Sequence, residues 1–142
     1  MNTQPSQNID LRMRTLRTLW IALFLSVGIY YAFTKFAERS PDLQRNDTLS
    51  LALIGVAVTT VLLSFLIKSK LLARAVDEQQ VPMVQQAYIV AWALCEVPAL
   101  LGMLEFFTTT NPNYYVLMII AALGQLLHFP KREHVENAAY KR

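Results

Sequence analysis

Nineteen consecutive residues, Leu49 to Ile67, contain no charged side chain. At about 1.5 Å of rise per residue, a helix of that length matches a hydrocarbon core roughly 30 Å thick. A helix across a bilayer satisfies both the apolar side chains and the backbone of such a run. The rest of the chain repeats the pattern. Leu19 to Phe33 is apolar and follows Arg12, Arg14 and Arg17; Ala87 to Phe107 is apolar but carries Glu96, Pro98 and Glu105; Tyr114 to Phe129 is apolar and ends at Pro130-Lys131-Arg132. Of the 142 residues, 54% are hydrophobic and 16% charged, against about 25% charged in an ordinary soluble domain. Four spans leave no room for a separate soluble catalytic domain.

The sequence therefore predicts an all-α integral membrane protein: a single four-span domain over residues 1–142, with helices at about 10–36, 49–79, 82–107 and 114–129 and short polar tails. The connection Thr108 to Asn113 is uncharged and carries Asn111-Pro112, so spans three and four form a tight antiparallel pair within an up-down four-helix bundle. Of the thirteen Lys and Arg residues, ten precede span one, separate spans two and three or follow span four, Lys141 and Arg142 among them. This bias places both termini in the cytoplasm, of a bacterial inner membrane in this reading. Arg12, Arg14, Arg17, Lys131 and Arg132 then face the anionic leaflet as membrane-surface residues.

One cysteine, Cys95, and two histidines, His128 and His134, exclude a disulfide framework and offer no metal cluster or bis-histidine haem site. Phosphate loops, nucleophile elbows and nucleic-acid motifs do not occur. The expectation is a protein without enzymatic activity, cofactor, metal or nucleic-acid partner. It works among lipids, as a homo-oligomer or as a subunit of a larger membrane complex.

The residue that most invites a function is Glu96. Aligning the span centres near Ser26, Val58, Val97 and Ala122 puts Glu96 at the depth of Ser26, Thr59 and Thr60, with Gln125 less than one turn away. A charge at the bilayer centre costs from about 2.5 kcal/mol upward unless it faces protein or water. Pro98 removes the helical donor of the Leu94 carbonyl and predicts a kink beside the carboxyl. Glu96, Ser26, Thr59, Thr60 and Gln125 thus make a candidate proton or monovalent-cation site. The same atoms also read as hydrogen-bonded glue between helices, worth about 1 kcal/mol. Glu105, nine residues on and on the opposite helix face, is expected at the solvated outer interface. Gly55 and Thr59, Ala91, Cys95 and Ala99, and Ala121 and Gly124 are expected to mark closely packed faces, and His128 an interfacial position.

The stretch from Gln86 to Gly102, with Glu96, Pro98 and Gly102 in order, resembles the carboxylate-bearing helix of the c-type ring proteolipids of rotary ATPases. With the preceding span, the resemblance covers residues 50–107. It implies a protonatable or sodium-binding Glu96 on a hairpin closed at the cytoplasmic side. Span two has Gly55 alone where that family's first helix is glycine-rich, and span four has no carboxylate. The alternative function is a non-catalytic accessory subunit stabilising a larger respiratory or photosynthetic membrane complex.

Overall fold

The computed structural model describes residues 5–140, with side-chain surroundings from Ile9 onward. Lys141 and Arg142 lie outside the described residues. The described chain forms α1 (Pro5–Phe36), α2 (Asp47–Asp77), α3 (Val81–Thr108), α4 (Tyr114–Leu127) and α5 (Arg132–Ala139). Ile9–Phe36, Asp47–Asp77 and Val81–Thr108 are each long and apolar enough to cross a membrane. Leu25, Ile29, Leu51, Leu62 and Leu66 are all more than half exposed, an apolar surface that suits lipid contact and is a liability in water.

Helix α3 is the hub, packing against α2, α4, α1 and α5. Its buried Val84, Tyr88, Ala91, Cys95, Pro98, Gly102 and Glu105 recur in alternating steps of four and three, and Ala87, Trp92, Ala99 and Phe106 widen that stripe. Helix α1 docks along one narrow seam, with Ile9, Met13, Leu16, Val27 and Thr34 buried. Small side chains set the closest approaches. A Cβ added at Gly102 would sit 2.8 Å from the Tyr114 carbonyl oxygen, and one at Gly124 3.0 Å from Cys95 Sγ. Gly55 has open space around it and Thr59 is exposed, which corrects the expectation of a tightly packed face there: those residues point away from α3.

The structure differs from the sequence reading at the start of α1, which begins at Pro5 rather than near residue 10, and after α4. Helix α4 stops at Leu127 rather than near 129. Pro130 offers no amide hydrogen and disfavours helical geometry at Phe129. The last turn closes instead through His128 N–H to Gln125 O (3.1 Å) and Phe129 N–H to Leu126 O (3.2 Å). At 14 residues, α4 is roughly 21 Å long. The expected polar C-terminal tail contains α5, whose Val135 and Ala138 are buried with Ile9, Met13 and Leu16 of α1, Ala75 of α2 and Val84 and Tyr88 of α3. Arg132 bridges α5 to Asp10 of α1 at 3.1 Å, an exposed pair that orients more than it stabilises.

The turns are specified locally. The Asn46 side chain accepts the Leu49 N–H at 2.9 Å and caps α2. At its other end Gln80 N–H reaches Ala75 O and Gln79 N–H reaches Val76 O, the paired bonds of a Schellman turn, with Gln79 in the left-handed region at φ 51°. Pro82 sits in the first turn of α3. At the opposite end, Arg39 donates to the carbonyls of Thr110 and Asn111 and lies over the rings of Phe106 and Tyr114. Asn111 Nδ2 donates to Asn46 O (2.8 Å) and Asn113 Nδ2 to Ser50 Oγ (2.9 Å). The α1–α2 and α3–α4 connections are thereby tied together.

Candidate functional site

Glu96 lies midway along α3, and its carboxyl faces α1. Oε1 lies 2.6 Å from Ser26 Oγ and accepts the Tyr30 hydroxyl at 3.1 Å. Ser26 and Tyr30 are four residues apart on α1 and so share one face. Thr59 and Thr60 do not join them: their hydroxyls donate to Gly55 O and Ala57 O of their own helix. Gln125 is also elsewhere, fully buried, with Nε2 donating to Trp92 O at 3.1 Å. Of the five residues grouped by depth, the structure brings together Glu96 and Ser26 and adds Tyr30. Depth along the membrane does not fix rotation about the helix axis, and α2 turns Thr59 and Thr60 away. Tyr30 is legible in hindsight as the i+4 neighbour of Ser26.

Proton counting makes the Ser26 contact informative. Ser26 Oγ carries one hydrogen and has two acceptors close by, Glu96 Oε1 and Leu23 O at 2.7 Å. When Glu96 is ionised, serine donates to Oε1. When Oε1 carries a proton, that O–H can donate a hydrogen bond to serine Oγ while the serine hydrogen turns to Leu23 O. Both arrangements keep every participant bonded, so hydroxyl rotation alone accommodates the change. Pro98, buried two residues further along α3, has no N–H to offer Leu94 O.

Glu105 contradicts its expected solvated position. It is fully buried, and neither carboxylate oxygen has a hydrogen-bond partner among the described residues. The helix face that carries Gly102 and Glu105 packs against α4, whose Tyr114, Leu117 and Met118 meet Gly102, while the exposed side of α3 at that level carries Leu100, Leu104 and Phe107.

A second polar cluster was not visible in the sequence. His128 is completely buried rather than interfacial. Its Nδ1 is 3.0 Å from Gly124 O and must donate there, since a carbonyl only accepts. In the neutral ring Nε2 is then an acceptor, 3.1 Å from Ser64 Oγ, which is in turn 3.5 Å from Cys95 Sγ. The single Ser64 hydrogen has two acceptors in reach, His128 Nε2 and Val61 O at 2.6 Å, and the hydroxyl links its own helix, Cys95 and the imidazole. Trp92 Nε1 donates to His128 O at 3.0 Å, and the Phe65 ring lies 4.3 Å from the imidazole. Ser64, Cys95 and His128 are each 0% exposed, and the cluster joins α2, α3 and the end of α4. Among the described residues, no three His, Cys, Asp or Glu side chains converge as metal ligands would.

The basic residues expected at the membrane surface gather at the end of the bundle built around α5. Arg12 is partly covered, Arg14 and Arg17 are exposed, and Lys131 and Arg132 are exposed at the start of α5. No protein-family model matches the chain, and no curated protein or solved structure does either.

Proposed function

We propose that this chain is a four-span integral membrane protein, an antiparallel up-down bundle with both termini in the cytoplasm, in which Glu96 takes up and releases a proton or monovalent cation. The observation that carries the reading is the pair of α1 hydroxyls, Ser26 and Tyr30, converging on one oxygen of a carboxyl midway along an apolar helix. Such a group is costly unless it is used or well bonded, and the Ser26 rotor serves both charge states. The resemblance of residues 86–102 to a c-type proteolipid helix supports the same reading, and a homo-oligomer in a bacterial inner membrane fits it.

Carbodiimide labelling across pH, mapped by mass spectrometry and paired with native mass in mild detergent, tests this. The expected result is a label on Glu96 that falls at high pH or with added sodium and is absent in Glu96→Gln, on a homo-oligomer. Absence of label at Glu96, with Glu96→Gln indistinguishable from wild type, overturns it. Heavier partners at fixed stoichiometry would then favour an accessory subunit of a larger membrane complex. The exposed apolar face of α1, with Leu25, Ile29, Phe33 and Phe36, is a surface such a partner could cover.

A further inference from the structure

Tyr88 of α3 gathers basic groups from two other elements. Lys68 Nζ of α2 lies 5.1 Å from its ring centroid. The Lys131 amide donates to its hydroxyl at 2.9 Å, and His134 Nδ1 of α5 lies 2.7 Å from the same oxygen. The hydroxyl accepts from Lys131 and therefore has its own hydrogen free for Nδ1. That assigns the ring hydrogen of neutral His134 to Nε2, which makes no protein hydrogen bond among the described residues. Lys68 is half-buried, and no carboxylate lies within ion-pair distance of it among the described residues.

These donors open onto one groove. A cavity of about 600 Å³ is lined by Lys68, Ser69 and His134, with Phe65 and Leu66 before them along α2 and Leu72 and Val76 after them. Phe65 and Leu66 extend the groove toward the middle of α2, and His134 of α5 closes it beside Lys68 and Ser69. An ammonium, a hydroxyl and an imidazole N–H beside an apolar trough fit a molecule with an anionic oxygen-rich head and a hydrocarbon tail. Partly covered positive charge without an acidic partner favours an anion, and basic pockets between membrane helices take anionic headgroups.

We propose that the groove between α2 and α5 is a binding site for an anionic phospholipid, its phosphate held by Lys68, Ser69 and His134 and an acyl chain running along Phe65 and Leu66 toward the middle of α2. The site is separate from Glu96 and does not depend on the function proposed for it.

Native mass spectrometry of the purified full chain, with phosphatidylglycerol and phosphatidylcholine competing in mixed micelles, tests the site. Wild type is expected to retain phosphatidylglycerol preferentially. Lys68→Gln is expected to reduce that preference about fivefold, as for loss of one cation near a headgroup. His134→Gln is expected to reduce it in the same direction. Lys68→Arg, and Lys70→Gln on the same helix, are expected to retain it. Equal retention of the two lipids overturns the proposal, and so does a Lys68→Gln preference equal to that of Lys70→Gln. Displacement by glycerol phosphate at the concentration at which the lipid itself competes also overturns it, because the groove would then recognise free phosphate. If Lys68→Gln does not fold, His134→Gln and Ser69→Ala decide: an unchanged preference in both overturns the site.

Discussion

Ser64 Oγ lies 3.1 Å from His128 Nε2 and links the middle of α2 to the residue that caps α4. Because Nδ1 is committed to Gly124 O, Ser64→Ala removes the hydroxyl, shared with Val61 O at 2.6 Å, that lies beside buried Nε2. The expected cost is about 1 kcal/mol, the usual scale for a hydrogen bond between membrane helices. Adding His128→Phe to Ser64→Ala is expected to cost less than the two single changes summed, because the orphaned nitrogen goes with the ring. Chemical denaturation in mixed detergent reads both effects, and strict additivity would show that the contact contributes nothing.

Gln79 holds a left-handed backbone, φ 51°, in the turn between α2 and α3. A side chain in that region costs on the order of 1 kcal/mol, and glycine is free of the penalty. Gln79→Gly is expected to raise stability by up to about 1 kcal/mol, measured as a higher midpoint of unfolding, whereas Gln79→Val is expected to lower it.

The four glycines should divide into two kinds. Gly102→Ala places a methyl 2.8 Å from a backbone carbonyl of α4, so the two helices must separate, at a cost of about 1–3 kcal/mol. Gly55→Ala meets nothing within 4 Å and, by helix propensity, is expected to be neutral or slightly stabilising. Thermal unfolding of the two variants side by side is the measurement. Equal midpoints would contradict the close α3–α4 approach.

Burial lowers the pKa of His134, with the charges of Lys68 on α2 and of Lys131 acting in the same direction and Glu133 opposing them. Tyr88 of α3 completes its surroundings. Above the pKa of a free histidine, near 6.5, the ring is neutral in folded and unfolded chains alike and gives no pH slope. As pH falls below about 6.5, the unfolded chain binds a proton that the folded chain resists, so stability falls and levels off below the folded pKa. Unfolding midpoints measured from pH 7.5 to 5 are expected to fall in wild type, with a shallower slope in His134→Gln.

The apolar runs from Leu49 to Ile67 and from Ala87 to Phe107 made the long helices legible, because length and lack of charge are properties of the segment itself. The sequence also singled out Glu96 and put Ser26 at its depth. Thr59, Thr60 and Gln125 were grouped with them by the same depth argument and lie elsewhere, since rotation about each axis depends on packing between helices. Glu105 and His128 were placed at interfaces by their distance from the span centres. Their burial comes from the central position of α3 and from the chain turning inward after Leu127. Helix α5 escaped notice because eight residues with Val135, Ala138 and Ala139 on one side are too short to give a periodic signal.

Two indole groups finish α4. Trp20 Nε1 donates to Gln125 O at 2.8 Å and Trp92 Nε1 to His128 O at 3.0 Å, while the His128 ring serves Gly124 O and the Phe129 amide serves Leu126 O. Of the four carbonyls that a helix ordinarily hands to water at its C-terminus, those of Gly124, Gln125 and Leu126 are here met by groups from α1 and the following turn, and α3 meets that of His128. A helix finished in this way does not have to reach the aqueous phase to end. If all four helices share one bilayer, α4 at roughly 21 Å can stop short of a layer about 30 Å thick, with the mismatch absorbed by tryptophan rather than by thinning of the lipid around it.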